Sequence, residues 1–534
     1  MRVQKSRWLT MAVLMMVWVR TAPVWADSLT GTAWEKFLKE KVSFGGYLEN
    51  VTGLSIAAGD SQFTTSNRFI MNRLTFQPEF NVDLDEQLRF FISWRFAKEP
   101  RYNKEAKDRR RNTPPLAPLD NTFYDEKSFK PWEVVFDIKP SDRFKLRWGR
   151  QFISWGETDG VRLLDVINPQ DGRFTPPLAP NLFNLDETRI PTWGLRTFYT
   201  PFPATNTTLE LIAMPGFDDT EKRVDESAPL AGRWAPHPET RISLGRLFAD
   251  PVGPIPVVIP DVHREFPNAG DNWKIGGRIT HTFGRLSAGI GYIWGYNPQA
   301  ADMVFKKTGA PSLSACPFPP FLVLCTGVKL KLMNDRTSIY AGHFNYSFEE
   351  PWKTAVRGEI AFYPSKPYNI SQYPGSSGLK AGPDPRHSNT DIVEKNTLRY
   401  SLGFDRATLI PFLHPDDPWR AFNLSLQIFQ SIIFDYEDGI RNFASADKIP
   451  KVSTALTFRI GTGYLGDTII PDVFVAYDPL GYWSVNPAIS YAPPWSEKLR
   501  FTLTGVLYGG RNKFGSIGVF SEKDSVFLKV RFQL

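Results

Sequence analysis

The chain has 534 residues, 63 Lys and Arg against 56 Asp and Glu, and a formal net charge of +7. No basic domain or stripe of the kind polyanion binding needs is present, which speaks against nucleic acid as a partner. No Ser- or Gly-rich linker or low-complexity tract interrupts the pattern, so a single structural unit is expected despite the length.

The first predicted element is a secretory signal. Arg2, Lys5 and Arg7 precede the apolar run Trp8 to Val19, which is too short to cross a bilayer as a mature helix, and Val24 and Ala26 fit a small-residue cleavage site. Removing residues 1–26 takes the four cations Arg2, Lys5, Arg7 and Arg20 and no acid, lowering the formal charge from +7 to +3. Residues 27–42 then form a short periplasmic N-terminal segment, and residues 43–534 the main unit. Secretion leads to a compartment where thiols oxidise, so Cys316 and Cys325, close together in a Pro- and Phe-rich segment, are expected to form a local disulfide. In the chain-entropy model so small a loop contributes roughly 2 to 3 kcal/mol.

From residue 43 onward the sequence alternates with period 2 in segments of about ten residues. Residues 68–97 show it best. Leu74, Phe76, Phe80, Val82 and Leu84 alternate with Arg73, Thr75, Gln77, Glu79, Asn81 and Asp83; after a turn at Asp85 and Glu86, Leu88, Phe90, Ile92, Trp94 and Phe96 alternate with Arg89, Ser93 and Arg95. Similar segments start near Trp132, Phe144, Thr192, Thr207, Lys274, Leu286, Thr337, Lys353, Leu398, Phe422, Val452, Ile469, Trp483, Leu499 and Asp524. Every second link is short, as at Pro140 to Arg143, Gly284 with Arg285, Glu349 to Trp352 and Gly466 with Asp467; the others run over 98–131, 156–190, 215–272, 297–336 and 364–396. One hairpin would suit a soluble sandwich. Repetition with unequal links predicts an all-β fold, a transmembrane antiparallel β-barrel of about 18 strands, with 16 as the alternative count, short periplasmic turns and long extracellular loops. No mature stretch approaches the length of apolar run that a membrane helix requires.

The chain stops inside an amphipathic strand, SVFLKVRFQL, with Val526, Leu528, Val530, Phe532 and Leu534 on one phase and Lys529, Arg531 and Gln533 on the other. That strand is expected to pair with the first, because an open edge in lipid leaves backbone groups unsatisfied. It also looks like the C-terminal signal read by barrel-assembly machinery, with Leu534 where phenylalanine is most usual. Trp94, Trp132, Trp148, Trp193, Tyr292, Trp294, Tyr340 and Tyr346 lie near strand ends, as aromatic girdles do. The expected location is the outer membrane of a Gram-negative bacterium, with its lipids and lipopolysaccharide as partners. The run KEAKDRRR, ending at Arg111, suits lipopolysaccharide phosphates if external and is otherwise a solvated loop.

The segment LRWGRQFISWGETDGVRLLDVINPQD carries Gly149, Arg150, Gln151, Trp155, Gly156, Glu157, Asn168, Pro169 and Asp171. It resembles the signature block of a large family of proteobacterial outer-membrane barrels catalogued as a domain of unknown function (DUF1302). GGYLEN near the first strand and the last-strand pattern fit the same family. The resemblance implies association with an outer-membrane lipid-handling protein and an exporter of the resistance-nodulation-division superfamily, and hence traffic in a hydrophobic or amphiphilic molecule. It carries over no substrate.

Within the block, Phe144, Leu146 and Trp148 share one phase and Lys145, Arg147 and Gln151 the other. Unbroken alternation puts Arg150 toward lipid, at about 2 to 4 kcal/mol if near the midplane; a bulge at Gly149 turns it inward. The connection onward to Pro191 interleaves Glu157, Asp159, Arg162, Asp165, Asp171 and Arg173 with Leu163, Leu164, Val166, Ile167, Phe174 and Leu178. So apolar a connection needs a surface, and the barrel mouth is the nearest. Arg150, Gln151, Glu157, Asp159, Asp165, Asn168, Asp171 and Arg173 are therefore the candidate lumen or constriction residues, the alternative being an external loop packed on its neighbours. TPPLAP occurs at Thr113 to Pro118 and again at Thr175 to Pro180, and both copies should be stiff and extended.

On the polar strand phases Arg73, Arg89, Arg95, Lys145, Arg147, Arg278, Arg357, Arg399, Arg459, Arg500, Lys529 and Arg531 outnumber Glu79, Asp83, Glu133, Asp137, Glu210, Glu359 and Asp405. Such an excess suits anionic cargo, or equally a charge ladder that braces the wall. GTGYLG at Gly461 to Gly466 lacks the following helix that a dinucleotide loop requires, and the six histidines show no metal spacing, so no cofactor or metal is expected. His343 shares a phase with Asn345 and Ser347, but no Gly-x-Ser-x-Gly element accompanies them, which leaves a barrel hydrolase the weakest reading. The expected function is a channel for a hydrophobic or amphiphilic compound, anionic if the cation excess serves cargo, gated or plugged by long loops; the alternative is a general diffusion porin.

Overall fold

The computed structural model describes residues 33–57, 69–100, 131–170, 175–183, 185–202, 206–215, 234, 241–243, 256–258, 261–264, 273–297, 304–308, 313–315, 324–326, 329–333, 336–370, 392–441, 448–511, 517–521 and 523–534. A short helix, α1 (Ala33–Lys41), leads directly into the first strand. The expected signal at residues 1–26 and the run ending at Arg111 lie outside the described residues.

Eighteen antiparallel strands close into a cylinder. They are β1 (Val42–Ser55), β2 (Phe69–Asp83), β3 (Leu88–Ser93, resumed at Phe96–Lys98), β4 (Glu133–Ser141), β5 (Phe144–Gln151), β6 (Thr192–Tyr199), β7 (Thr208–Pro215), β8 (Trp273–Phe283) and β9 (Leu286–Tyr296). The second half comprises β10 (Arg336–Phe348), β11 (Thr354–Ile370), β12 (Ile392–Leu409), β13 (Ala421–Ile433), β14 (Val452–Gly461), β15 (Ile469–Asp478), β16 (Tyr482–Tyr491), β17 (Leu499–Gly510) and β18 (Ser525–Gln533). Each strand pairs with the next, and β18 returns to β1 from Tyr47 opposite Gln533 to Ser55 opposite Ser525. No backbone edge is left in the wall.

The pleat is sorted inside out. Leu74, Trp148, Leu211, Ile275, Ile290, Tyr340, Leu426, Ile489 and Leu528 are exposed on the outer face, while Arg73, Thr75, Gln77, Glu210, Glu359, Gln427, Asn486, Thr504 and Lys529 are buried. Large apolar groups outside and polar groups inside are favourable only when the outside is hydrocarbon. Inside, many charges pair as a ladder: Arg147 with Asp137 at 2.7 Å, Arg357 with Asp405 at 2.8 Å and Arg459 with Asp472 at 2.9 Å.

The structure differs from the sequence-based expectations at several points. β11 and β12 run on to Ile370 and back from Ile392, so the connection expected over 364–396 is strand at both of its ends; a register shift between Tyr363 and Lys366, with Ser365 at φ 54°, had broken the alternation. β3 breaks at Trp94 and Arg95 because Arg95 turns to donate to Gln77 Oε1 at 2.6 Å. Trp132, expected in an aromatic girdle, is buried with the Arg95 guanidinium 4.5 Å above its ring. Parts of the long connections 215–272 and 297–336 pair with each other, in a four-stranded sheet (Arg241–Ser243, Pro256–Val258, Leu313–Ala315, Leu324–Thr326) and a three-stranded one (Asp261–Arg264, Val304–Thr308, Lys329–Met333).

Cys325 lies in the strand Leu324–Thr326, whereas Cys316 and the proposed bond lie outside the described residues. A Cys316–Cys325 disulfide predicts that neither thiol reacts with maleimide in denaturant until a reductant is added. Ready labelling of unreduced protein would remove the bond from consideration.

Candidate functional site

Between β5 and β6 the chain leaves the wall and folds back against it from within, as a strap of two lobes. The first lobe, residues 152–168, buries Ile153, Trp155, Leu163, Leu164, Val166 and Ile167 against Ile212 and Met214 of β7, Ile293 of β9, Ile339 of β10, and Ala361 and Tyr363 of β11. The second, residues 175–189, places Leu178, Ala179, Leu182 and Phe183 against Val51 of β1, Ile70 and Met71 of β2, Tyr482 of β16, Val506 and Tyr508 of β17, and Phe527 of β18. In an eighteen-strand ring the first set centres on β9 and the second on β18, half a circumference apart. The strap is thus docked on opposite walls.

Polar contacts follow the same route. The Glu359 carboxylate accepts from the Glu157 amide and, at 3.1 Å, from Leu164 N. Arg357 bonds the Glu157 carbonyl and the Asp159 carboxylate, which also accepts from Gln427 Nε2 at 2.8 Å. Gly160, at φ +76°, lies on the Phe474 ring of β15, where a Cβ would stand 2.6 Å from Cζ. Lys274 donates to Ile167 O at 2.5 Å, Asn486 to Leu178 O at 2.5 Å, Tyr508 to Pro177 O at 2.6 Å and Lys529 to Leu182 O at 2.8 Å. Wall side chains thereby satisfy strap backbone groups that the interior would otherwise leave unpaired. The Thr175 to Pro180 copy of TPPLAP is a turn rather than extended, with Leu178 at φ 56°, since its carbonyls must reach Tyr508 and Asn486; the other copy lies outside the described residues.

Asn168, fully buried, clasps the two ends of the strap. Its Oδ1 accepts from Ile153 N at 2.7 Å, and its Nδ2 lies within bonding distance of Gln151 O, Ile190 O at 2.9 Å and Thr192 Oγ1. Asp165 joins the lobes through Arg189 at 2.7 Å and accepts Arg162 at 3.1 Å. Trp155 donates its indole N–H to Glu210 Oε1 at 3.1 Å, a carboxylate also held by Arg196 at 2.5 Å and Arg278 at 2.7 Å.

Arg150 faces neither lipid nor a bulge. Register runs unbroken through Gly149, opposite Val135 and Gly194, yet Gly149 has φ +138° and the guanidinium that follows is buried, donating to Pro131 O at 2.8 Å and Pro191 O at 3.1 Å. A Cβ on Gly149 would meet Val134 O at 1.9 Å. We expect Gly149→Ala to destabilise the barrel by about 2 to 3 kcal/mol, read as a lower temperature for loss of the compact band on electrophoresis. Gly284→Ala, at φ +58° with nothing within 4 Å of its Cβ, is the control. Equal shifts for the two variants would show that contact with Val134 is irrelevant.

Of the sequence-predicted residues, Arg150, Gln151 and Asn168 sit at the base of the strap, Glu157 and Asp159 against β11 and β13, and Asp165 between the lobes. Asp171 and Arg173 lie outside the described residues. Sequence reasoning missed Glu187, in the short helix α2 (Leu185–Thr188). Its carboxylate meets Arg531 at 2.5 Å and Lys529 at 3.4 Å. Burial would raise its pKa, but Lys529, Arg531, Arg73 and Arg95 outweigh burial and hold it below the ordinary value, so it is charged at neutral pH. Being depressed, it supports docking above the unfolded pKa, and that support is lost as pH falls through the folded one.

Residues 12–212 match the model of a family described as protein of unknown function (DUF1302), the family that the motif block resembles. No curated protein matches the chain. Similar solved structures include Pseudomonas aeruginosa OccK1 (OpdK), at 11% identity and TM-score 0.41 with 93% of this chain and 99% of that chain covered. P. aeruginosa OccK9 (OpdG) aligns at 10% identity and TM-score 0.44 over 93% and 99%. Acinetobacter baumannii OccAB2 aligns at 11% and 0.43 over 93% and 98%.

Proposed function

We propose that the chain is an outer-membrane channel for a hydrophobic or amphiphilic small molecule or lipid, and that the strap is its gate. The observation that carries this reading is the docking of one connection on opposite walls of the bore, through apolar contacts that a water-filled pore would not maintain. An unobstructed aqueous path, as a general diffusion porin needs, runs against that arrangement. The association with an outer-membrane lipid-handling protein and a resistance-nodulation-division exporter implied by the family belongs to the same proposal, as do the barrel-assembly machinery and lipopolysaccharide as partners. Protein purified in native lipid and analysed by lipid and metabolite mass spectrometry should carry an enriched amphiphile, and in planar bilayers it should conduct poorly. Large, non-selective, ohmic steps with no enriched compound would return the general porin to first place.

A further inference from the structure

We infer that Leu182, Phe183 and Glu187 are a built-in stand-in for the cargo, and that the wall site they occupy takes an amphiphilic carboxylate. The inference rests on the channel reading and names its substrate class. Four cations converge on the Glu187 segment from three strands or their flanks. Arg531 and Lys529 of β18 meet its carboxylate at 2.5 and 3.4 Å, Arg95 donates to its carbonyl at 3.1 Å, and Arg73 of β2 stands 4.3 Å above the Phe183 ring. Glu49 of β1 is the fixed counter-charge, 2.8 Å from Arg531 and 3.2 Å from Lys529. Glu187 and Glu49 share Lys529 and Arg531, so removing Glu187 leaves those two cations on one carboxylate, an imbalance that a ligand anion offsets.

Next to this charged basket is an apolar one. Leu182 and Phe183 lie among Val51, Ile70, Met71, Tyr508 and Phe527, all buried wall residues. Two of the cations also present aromatic faces that belong to the barrel: Arg95 over Trp132 at 4.5 Å and Arg531 over Tyr47 at 4.1 Å. Carboxylate and apolar anchor are thus delivered together by one short stretch of the strap, the chemistry of an acid head with a hydrocarbon tail. A ligand of that kind satisfies the cations as Glu187 does, covers the apolar wall as Leu182 and Phe183 do, and in competing for both displaces the second lobe.

The test is equilibrium dialysis of the full chain in nanodiscs with octanoate and with the neutral octanamide. Glu187→Gln keeps the shape of the side chain and removes the competing charge, so octanoate should bind about tenfold more tightly than to wild type, an advantage of about 1.4 kcal/mol, while octanamide binds weakly and equally to both. Glu187→Asp should return octanoate binding toward the wild-type value, and Arg531→Gln should weaken it in the Glu187→Gln background. Equal octanoate affinity in wild type and Glu187→Gln, or octanamide binding as well as octanoate, overturns the inference. Binding is read without current. A barrel that never conducts but shows this pattern therefore sinks the channel and leaves the site, whereas a conducting barrel without the pattern sinks the site alone.

Discussion

Excising Leu163–Leu182 and bridging the gap with a short Gly and Ser linker is expected to raise single-channel conductance several-fold. The deletion removes Leu163, Leu164, Val166 and Ile167 from one wall and Leu178, Ala179 and Leu182 from the other, together with the carbonyls held by Lys274, Asn486, Tyr508 and Lys529. It also takes Asn168, which gathers the two ends of the strap. The wall should survive, since the strand backbones are bonded to neighbouring strands and the strap is held by wall side chains, and cations left facing the bore can be rehydrated there. Planar-bilayer recording of variant and wild type, after electrophoresis has shown both to be folded, decides it. Unchanged conductance would mean that ions bypass the strap and that it is packing alone.

Truncation at the other end has the larger structural effect. Removing Val530–Leu534 deletes the pairs of Val530, Arg531, Phe532 and Gln533 with Asn50, Glu49, Leu48 and Tyr47, the pairs with Leu499, Arg500 and Phe501, and the bond from Leu534 N to Gly46 O at 2.9 Å. Half of the closing seam disappears, and each orphaned backbone group in hydrocarbon costs several kcal/mol. We expect secretion to continue and the compact, heat-modifiable form to be absent from the outer-membrane fraction. Normal amounts of folded protein would show that β1 can close on β17.

The wall was legible because its code is local. Alternation between Leu74 and Arg73, or Leu528 and Lys529, places each residue on a face without knowledge of its partner, and alternating short and long links give the order of strands. Departures came where a residue turns for a distant group: the Arg95 side chain for Gln77, Trp132 for Arg95, and the Leu178 carbonyl for Asn486. For the strap the sequence marked composition but not destination. Glu157 and Asp159 stood out as charges in an apolar connection, yet Glu359 and Gln427, which receive them, lie more than 200 residues on, on ordinary-looking strands. Glu187 carried no local signal, since its four cations belong to segments that flank the chain's two ends. The motif block is explained by architecture: Gly149 turns, Arg150 ties the rims, Gly156 leaves no room for a Cβ beside Asp165 N, and Pro169 O accepts from Ile190 N.

Because Asn168 gathers Gln151, Ile153, Ile190 and Thr192 at one point, the two lobes behave as petals on a single post. Arg189 joins them, through Asp165 and Ser154, and Gln170 is bridged to Arg189 and bonded to Thr188. In the gate proposed above, the second petal would lift while the first stays seated on β7 to β11. That movement would bare a crescent along β16 to β2 and leave the far side stopped. A passage of that shape would be off-axis and would follow the seam where the first strand pairs with the last.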